Sequence, residues 1–324
     1  MAGAVYASDP NAAPDSEFVP GELRHLVVGN RGRLLDARRT PVTITAADPE
    51  RGAFELEIGA FEDAGARWEL PLEDIGRFQF ARDCRVASAD VVAELERAVV
   101  RFDRELVIDC DSSSREATLR RIERERLELR LEIAELAARV DAREGDPRLY
   151  AQLEEVMAAR GVADLEREFT TTFVSNPRSG EFVKGHAIVL AELGLCPYRG
   201  RILRDPSELE GPVSKERRAD HLVARLAFSA ALWAGRDTVT LYRGAAVEGP
   251  LPQPAFSSFV SATFSREVAE AHFEGGPTTR TAVLWRQHVP VTRLLMTFLE
   301  TREMNRRFSE GEAVLIGDPG NRAF

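Results

Sequence analysis

The chain has 324 residues, 44% of them hydrophobic and 30% charged, which is enough for a globular protein of about two domains with a sizeable core. Its formal net charge of −10 argues against general affinity for nucleic acids or anionic membranes. No run approaches the roughly 18 apolar residues of a membrane helix, and the first residues do not resemble a signal peptide. We therefore expect a cytoplasmic protein without a membrane partner.

Cysteine and histidine are sparse and scattered along the chain. There are three cysteines, Cys84, Cys110 and Cys196, an odd number without the spacing of metal ligands. This usage is typical of free thiols in a reducing compartment. The five histidines show no paired spacing on a helix, so the sequence predicts no metal site.

The first 84 residues divide into a tail and a β-rich module. Residues 1–20 are rich in Ala, Pro, Asp and Ser and are expected to form a mobile tail. Within residues 21–84, apolar residues alternate with polar ones on both sides of a turn at Asp48–Gly52. Five or so short strands are predicted, which indicates a small antiparallel β-barrel or roll. The module has one basic cluster, which comprises Arg31, Arg33, Arg38 and Arg39. This cluster is either a solvated strand face or a contact for a partner or nucleic acid.

Residues 85–161 are predicted to be a helical connector. One helix is expected from Ser88, and a second from a capping box of Ser113 and Glu116. The second helix carries a heptad seam with Arg126 at one position, and its apolar members are Leu119, Ile122, Leu129, Ile133, Leu136 and Val140. Such a seam packs within the chain or pairs with a second copy as a coiled coil, and the charged member favours packing within the chain. Gly145-Asp146-Pro147 should end it, before a helix near 148–160.

Residues 162–324 are predicted to form an α+β domain. Helices are expected around 180–193 and 215–234, and strand-like runs follow them. Three short motifs at the edges of apolar runs carry the chemistry: Leu241–Gly244, Phe259–Thr263 and Glu310–Ile316.

The third motif contains two carboxylates separated by one residue. A strand places alternate side chains on one face, so Glu310 and Glu312 should project together into one site. An arginine can bind phosphate, and paired carboxylates can stabilise a cation. The three motifs together suit a reaction of an anionic nucleotide that has a cationic leaving group, such as NAD.

In this order the motifs resemble those of the Arg-Ser-Glu class of mono-ADP-ribosyltransferases, which includes cholera toxin and the clostridial binary toxins. That family has an aromatic-Arg pair, an aromatic-x-Ser-Thr-Ser strand and Glu-x-Glu before an apolar strand. The matching residues here are Tyr242-Arg243, Phe259-Val260-Ser261-Ala262-Thr263 and Glu310-Gly311-Glu312. The resemblance covers about residues 165–324. It implies helices followed by two crossed β-sheets, with NAD as co-substrate.

The resemblance also implies five NAD-binding residues besides Ser261. Arg243 would hold a phosphate, Gly244 would bond the nicotinamide amide, and Thr263 would support the strand face. Phe273 would stack on nicotinamide, and Arg280 would be a second phosphate ligand. Outside this context, such residues are more often surface arginines, a turn glycine, an ordinary strand threonine and a core phenylalanine.

Three residues would carry the catalysis. Ser261 would hydrogen-bond Glu312, whose carboxylate would stabilise the positive ribose formed as nicotinamide leaves. Glu310 would face the acceptor, because glutamate at this position accompanies transfer to arginine in the family. Without the other motifs, each glutamate would be interpreted as a solvated strand-edge residue.

The function expected from the resemblance is transfer of ADP-ribose to a macromolecular acceptor, most favourably a protein arginine. Transfer to a nucleic-acid base and plain NAD hydrolysis are alternatives with the same site. The alternative outside enzymes is an assembly module with a degenerate site, which self-associates through the heptad helix.

Overall fold

The computed structural model has a mixed α+β fold with antiparallel sheets. The chain divides into two compact units, Met1–Arg104 and Glu105–Phe324, a division that falls inside the predicted connector. The structure describes residues 17–35, 39–60, 64–131, 136–175, 180–247, 256–273, 279–305 and 309–321.

The first unit contains a six-stranded antiparallel sheet in the order β1-β6-β2-β3-β4-β5. Its strands are β1 Phe18–Pro20, β2 Arg31–Leu34, β3 Pro41–Asp48, β4 Ala53–Ile58, β5 Arg67–Pro71 and β6 Phe78–Ala81. In the described part of the chain, β1 and β5 are edges that do not pair with each other, so the sheet is antiparallel as predicted but, of the predicted barrel or roll, the barrel is wrong.

A helix, rather than sheet closure, covers the core of this unit. Helix α1, Ala89–Phe102, begins at the predicted Ser88, whose hydroxyl accepts a hydrogen bond from the Val91 amide. Its Leu95 joins the buried sheet residues Phe54 and Phe78 in one apolar cluster. Burying one face of an open sheet under a helix satisfies the same hydrophobic pattern that a barrel would.

The structure differs in detail from the predictions for the N-terminal tail and for the basic cluster. The predicted tail, residues 1–20, lies outside the described residues up to residue 16, and its last three residues form β1. The basic cluster is not one exposed face: Arg33 is buried, donates to the Gln79 amide oxygen at 3.0 Å and lies over the Phe18 ring. Arg38 lies outside the described residues.

The second unit begins with strand β7, Glu105–Ile108, which pairs with β8, Tyr198–Arg201. The predicted helices near 148–160, 180–193 and 215–234 are confirmed as α4, α6 and α7. The helices are α2 Ser112–Glu128, α3 Leu136–Ala142, α4 Pro147–Ala159, α5 Ala163–Ser175, α6 Glu181–Glu192 and α7 Lys215–Leu232.

The predicted start of the heptad helix is wrong by two residues. Asp111 is the N-cap of α2, because its carboxylate accepts from the Ser114 amide at 2.7 Å. The Ser113 hydroxyl donates to the same carboxylate instead of capping the helix itself. A carboxylate at the helix N-terminus is favoured by the helix dipole, and it displaces the neutral hydroxyl.

The heptad seam is not one continuous helix. Helix α2 ends at Glu128, and Leu129 has an extended backbone, with φ −83° and ψ 133°. The expected packing within the chain is confirmed for four seam residues, which lie against the main core of the unit: Ile122, Leu129, Leu136 and Val140. Self-association through this region stays a prediction, and Ile133 lies outside the described residues.

The C-terminal part of the second unit is a five-stranded antiparallel sheet in the order β11-β9-β10-β13-β12. A helix, α8 Arg266–Phe273, connects β10 to the segment before β11 and packs against β9. The strands are β9 Thr238–Val247, β10 Phe259–Thr263, β11 Thr281–Pro290, β12 Leu294–Thr297 and β13 Glu312–Ile316.

This sheet has a narrow join in its middle. Strands β9 and β11 share ten register pairs, from Thr281 opposite Val247 to Pro290 opposite Thr238. By contrast, β9 and β10 share the single pair Tyr242–Thr263. The sheet therefore consists of two arms, β11-β9 and β10-β13-β12, and the three motifs meet at their join.

The described helices include none with the length and apolar character needed to cross a membrane. Cys84, Cys110 and Cys196 are free thiols, and Cys196 is buried.

Candidate functional site

A cavity of about 200 Å³ lies at the join of the two arms of the sheet. It collects residues from all three sequence motifs and from α8. Its described lining includes six of the eight predicted site residues: Arg243, Gly244, Ser261, Thr263, Glu310 and Glu312. Residues separated by up to 69 positions in the chain thus share one cavity.

The central contact of the cavity is a hydrogen bond from the Ser261 hydroxyl to Glu312 Oε1, 2.5 Å long. Register explains it: Thr263 lies opposite Glu312, and Ser261 is two residues back on β10. Residues two apart share a strand face, so Ser261 lies diagonally across from Glu312, within reach of a long side chain. The strand pairing fixes the orientation of the Glu312 carboxylate.

Glu310 and Glu312 were expected on the same face of one strand, but Glu310 lies before the strand begins. Strand β13 begins at Glu312, and Gly311 before it has φ +58°, a left-handed conformation that favours glycine. The turn at Gly311 nevertheless leaves both glutamates in the lining of the cavity. Glu310 is more exposed than Glu312 and lies 3.9 Å from Nε2 of His272.

Thr263 holds the backbone on two sides of the cavity. Its hydroxyl donates to the Glu310 carbonyl oxygen at 2.5 Å and accepts from the Ser265 amide at 2.9 Å. The Gly311 carbonyl oxygen in turn accepts from the Phe264 amide at 2.9 Å. Thr263 therefore joins the carboxylate turn to the start of α8 rather than contacting the Glu312 carboxylate.

The Glu312 carboxyl is mostly buried, and its partners offset only part of the cost of burying its charge. Burial raises its pKa above the ordinary value, the Ser261 hydrogen bond lowers it, and the charge of Glu310 raises it further. No cation among the described residues forms an ion pair with Glu312. A buried carboxylate without a cation is costly for the fold and is well placed to receive a positive charge from a ligand.

One predicted NAD ligand, Arg280, is not brought into the described part of the cavity. Arg280 is exposed before β11 and is not among the described residues of the lining; its amide donates to the Val247 carbonyl oxygen. The side chain of Phe273 lies outside the described residues. Arg243 and Gly244 do line the cavity, from positions opposite Trp285 and Leu284 of β11.

Sequence reasoning did not assign several lining residues to the site. Tyr242 forms the join between the arms, and Val268, Ala269 and His272 come from α8. Val268 and His272 are four residues apart, the spacing of one helix face, and that spacing was a usable signal.

A second group of ionisable side chains lies in the same unit, away from the three motifs. Arg225 is buried on α7 and pairs with two carboxylates, Glu166 of α5 and Glu300 after β12. Nε2 of His221 lies 2.8 Å from Glu166, and Thr297 donates its amide to Glu300 at 2.6 Å. We call these residues the Arg225 network.

The two carboxylates that share Arg225 have opposite pKa shifts. Burial alone raises the pKa of Glu166, but the charge of Arg225 and a hydrogen bond with His221 outweigh it, and the pKa lies at about 2. Burial raises the pKa of Glu300, and its contact with Arg225 only partly offsets this. One guanidinium does not neutralise two buried carboxylates equally.

Comparison with protein-family models, with curated proteins and with solved structures found no match. Among the described residues, no group of three or more His, Cys, Asp or Glu side chains is arranged to hold a metal ion. The interpretation of the cavity therefore depends on its geometry and on the three motifs.

Proposed function

We propose that this protein is an NAD-dependent mono-ADP-ribosyltransferase that releases nicotinamide and transfers ADP-ribose to a protein side chain, most favourably arginine. The observation that carries the proposal is the hydrogen bond from Ser261 to Glu312 in a cavity that also contains Arg243. These residues come from three separate motifs, and a chance resemblance would not require them to meet.

In the proposed reaction, the bond between nicotinamide N1 and ribose C1′ breaks, and neutral nicotinamide leaves with the bonding electrons. Positive charge then develops on the ribose. A fixed, buried carboxylate stabilises that charge more strongly than water does. Glu312 has this character, since it is oriented by Ser261 and lacks a cation partner among the described residues.

The size of the cavity supports binding of one end of NAD. At about 200 Å³ it is smaller than the roughly 300–1,000 Å³ of pockets that enclose a drug-sized ligand. It would hold the nicotinamide and its ribose, and Arg243 on β9 would bind a phosphate beyond them. A guanidinium fork suits phosphate oxygens better than the ammonium of lysine.

Glu310 supports the choice of arginine as acceptor. Its side chain is more exposed than Glu312 yet lines the same cavity, so it can reach a group that enters from outside. A carboxylate there can pair with an incoming guanidinium and accept its proton while the new C1′–N bond forms. A nucleic-acid acceptor would dock on the basic cluster of the first unit, and Arg33 of that cluster is buried and so less able to contact it.

The resemblance implies two crossed β-sheets, whereas the described strands form one five-stranded sheet; under the proposal, each arm of this sheet corresponds to one of those two sheets. Only the pair Tyr242–Thr263 joins the arms among the described residues. Helices precede both arms in the chain, as the proposed fold requires.

The test is incubation of the purified full chain with NAD labelled in the adenosine and in the nicotinamide. Agmatine, a small guanidino compound, serves as acceptor. We expect nicotinamide release with labelled agmatine as product. Glu312→Gln should reduce release about 100-fold, the loss typical of one transition-state stabiliser. Glu310→Gln should abolish transfer but retain slow hydrolysis.

The outcomes separate the alternatives. Release of free ADP-ribose without labelled agmatine or protein would favour a glycohydrolase, and label on added RNA or DNA would favour a nucleic-acid acceptor. Absence of any nicotinamide release, with NAD binding also absent, would contradict the proposal and favour an assembly module.

A further inference from the structure

Arg143, outside the three motifs, occupies an unusual place beside the cavity. It follows α3 with φ +57°, a left-handed conformation that is rare for a residue with a side chain. The Arg143 amide donates a hydrogen bond to the Val140 carbonyl oxygen, and the Glu144 amide donates one to the Arg139 carbonyl oxygen. These two bonds are those of a Schellman motif, in which the position of Arg143 is usually glycine.

The Arg143 side chain contacts two segments that supply lining residues to the cavity, the turn before β13 and the start of α8. Its stem packs at Gly311, where a built Cβ would lie 3.2 Å from Cγ of Arg143. Its guanidinium donates to the Ser265 hydroxyl at 3.5 Å and lies 3.9 Å from Glu267. Ser265 also accepts from the Val268 amide in the first turn of α8. Arg143 therefore spans from the turn between the two glutamates to the start of α8.

The turn that contains Arg143 also holds the other end of the segment before β13. The Asp146 amide donates to the Leu299 carbonyl oxygen at 2.9 Å. Asn305 donates to the Tyr150 hydroxyl of α4 at 2.9 Å. Leu299, Asn305 and Gly311 are thus each contacted by a residue within 143–150.

We propose that Arg143 is a positioning residue that holds the Glu310–Gly311 turn against α8 and so sets how efficiently the bound ADP-ribose is passed to the acceptor. Local backbone preference at this position is for glycine, so an arginine there is explained by its side-chain contacts. Positions that oppose a local preference are often functional. The effect on transfer rests on the proposed function; the effect on the turn does not.

The test compares Arg143→Gly and Arg143→Lys with the wild-type full chain. Arg143→Gly removes the side chain and relieves the backbone strain, so its Tm should equal or exceed that of the wild type. Hydrogen exchange at the Phe264 amide, which bonds to Gly311, should become faster. The ratio of agmatine transfer to NAD hydrolysis should fall about tenfold, a cost expected from a small misplacement of a reacting group. Arg143→Lys keeps the stem on Gly311 and should recover part of both effects.

The control is Arg124→Ala, an exposed arginine of α2, which should change none of these measurements. Unchanged Phe264 exchange in Arg143→Gly would overturn the proposal. So would a lowered Tm with transfer and hydrolysis falling in parallel, since that pattern means general destabilisation. If the wild type does not consume NAD, the proposed function fails separately, and the exchange measurement alone decides whether Arg143 holds the turn.

Discussion

Two mostly buried carboxylates in the second unit, Glu166 and Glu312, lie in opposite electrostatic surroundings. In the Arg225 network, Glu166 has a cation and a histidine beside it, and its pKa is lowered to about 2. In the cavity, Glu312 has a hydroxyl and a second carboxylate, and its pKa is raised. Glu166 is paired with a cation of the fold, although Glu300, which shares that guanidinium, keeps a raised pKa. Glu312 has no cation partner among the described residues, and a cationic ligand would supply one.

Burial therefore does not distinguish Glu166 from Glu312, but their partners do. Both carboxylates are mostly buried, and of the two only Glu166 forms an ion pair among the described residues. The predictions below test whether stability depends on the network and activity on the cavity.

The largest expected effect is on stability, from Arg225→Met. The substitution leaves Glu166 and Glu300 buried without their cation and should lower the free energy of unfolding by about 3–5 kcal/mol. Urea unfolding followed by circular dichroism measures it. Arg217→Met is the control on the same helix, because its partner Asp164 is exposed and such a pair contributes about 0–1 kcal/mol. The loss of its hydrogen bonds to the Gly161 and Pro212 carbonyl oxygens adds about 1 kcal/mol, still below the loss expected for Arg225→Met. Equal losses in the two variants would contradict the structural role of the network.

Glu312→Gln should separate activity from stability. Nicotinamide release should fall about 100-fold, equivalent to about 3 kcal/mol. The Tm should stay equal or rise, because the substitution removes a charge whose burial is unfavourable. Thermal unfolding of the same preparation gives the comparison. A lower Tm would show that the Glu312 carboxylate stabilises the fold, as Glu166 does.

The pH dependence of the wild type should differ between Glu312 and Glu166. A raised pKa means that Glu312 gains its proton at a pH above the ordinary value of about 4.3, and nicotinamide release should fall as the pH drops through that raised pKa. For Glu166 the pKa is lowered, so its stabilising contribution is complete above the unfolded value and is lost only as the pH falls toward about 2. Activity should therefore decline at a pH where this contribution to the fold persists. Rate–pH profiles and Tm values in the same buffers test the order of the two losses.

The smallest expected effect comes from Ser261→Ala. The hydrogen bond from Ser261 lowers the pKa of Glu312, so its loss should move the acid limb of the rate profile to higher pH. The rate at the optimum should fall about tenfold, since a hydrogen bond to a charged group contributes about 1.5–3 kcal/mol. Ser257→Ala, which removes a hydroxyl bonded to the Phe259 carbonyl oxygen, is the control. An acid limb at the same pH in both variants would argue against the Ser261–Glu312 contact.

Much of the secondary structure could be predicted because it depends on local periodicity. The alternation at Val42–Ile44 and the helical spacing after Ser88 each specify one element, and both are confirmed. The break at Leu129 could not be predicted in this way, because a heptad pattern records which side chains are apolar but not where the backbone leaves the helix. The barrel was predicted wrongly for a similar reason: a pattern that buries one face of a sheet does not show whether other strands or a helix cover that face.

The cavity could be predicted in part because its motifs are short and ordered along the chain. The geometry of Glu310 could not, since it depends on the conformation of Gly311. Arg225 and Arg143 were not identified because their partners are distant in sequence: Glu300 is 75 residues after Arg225, and Ser265 is 122 residues after Arg143. The sequence around a charged residue on a helix or in a turn does not indicate which distant residue it will contact.

The join between β9 and β10 has a mechanical consequence. In the described part of the chain, a change in the angle between the arms would have to distort the single pair Tyr242–Thr263, whereas the ten pairs between β9 and β11 would stay intact. Arg243 lies on one arm and Glu312 on the other. Under the proposed function, a dinucleotide held by both side chains would link the two arms, so the angle between them would depend on whether it is bound at one end or at both.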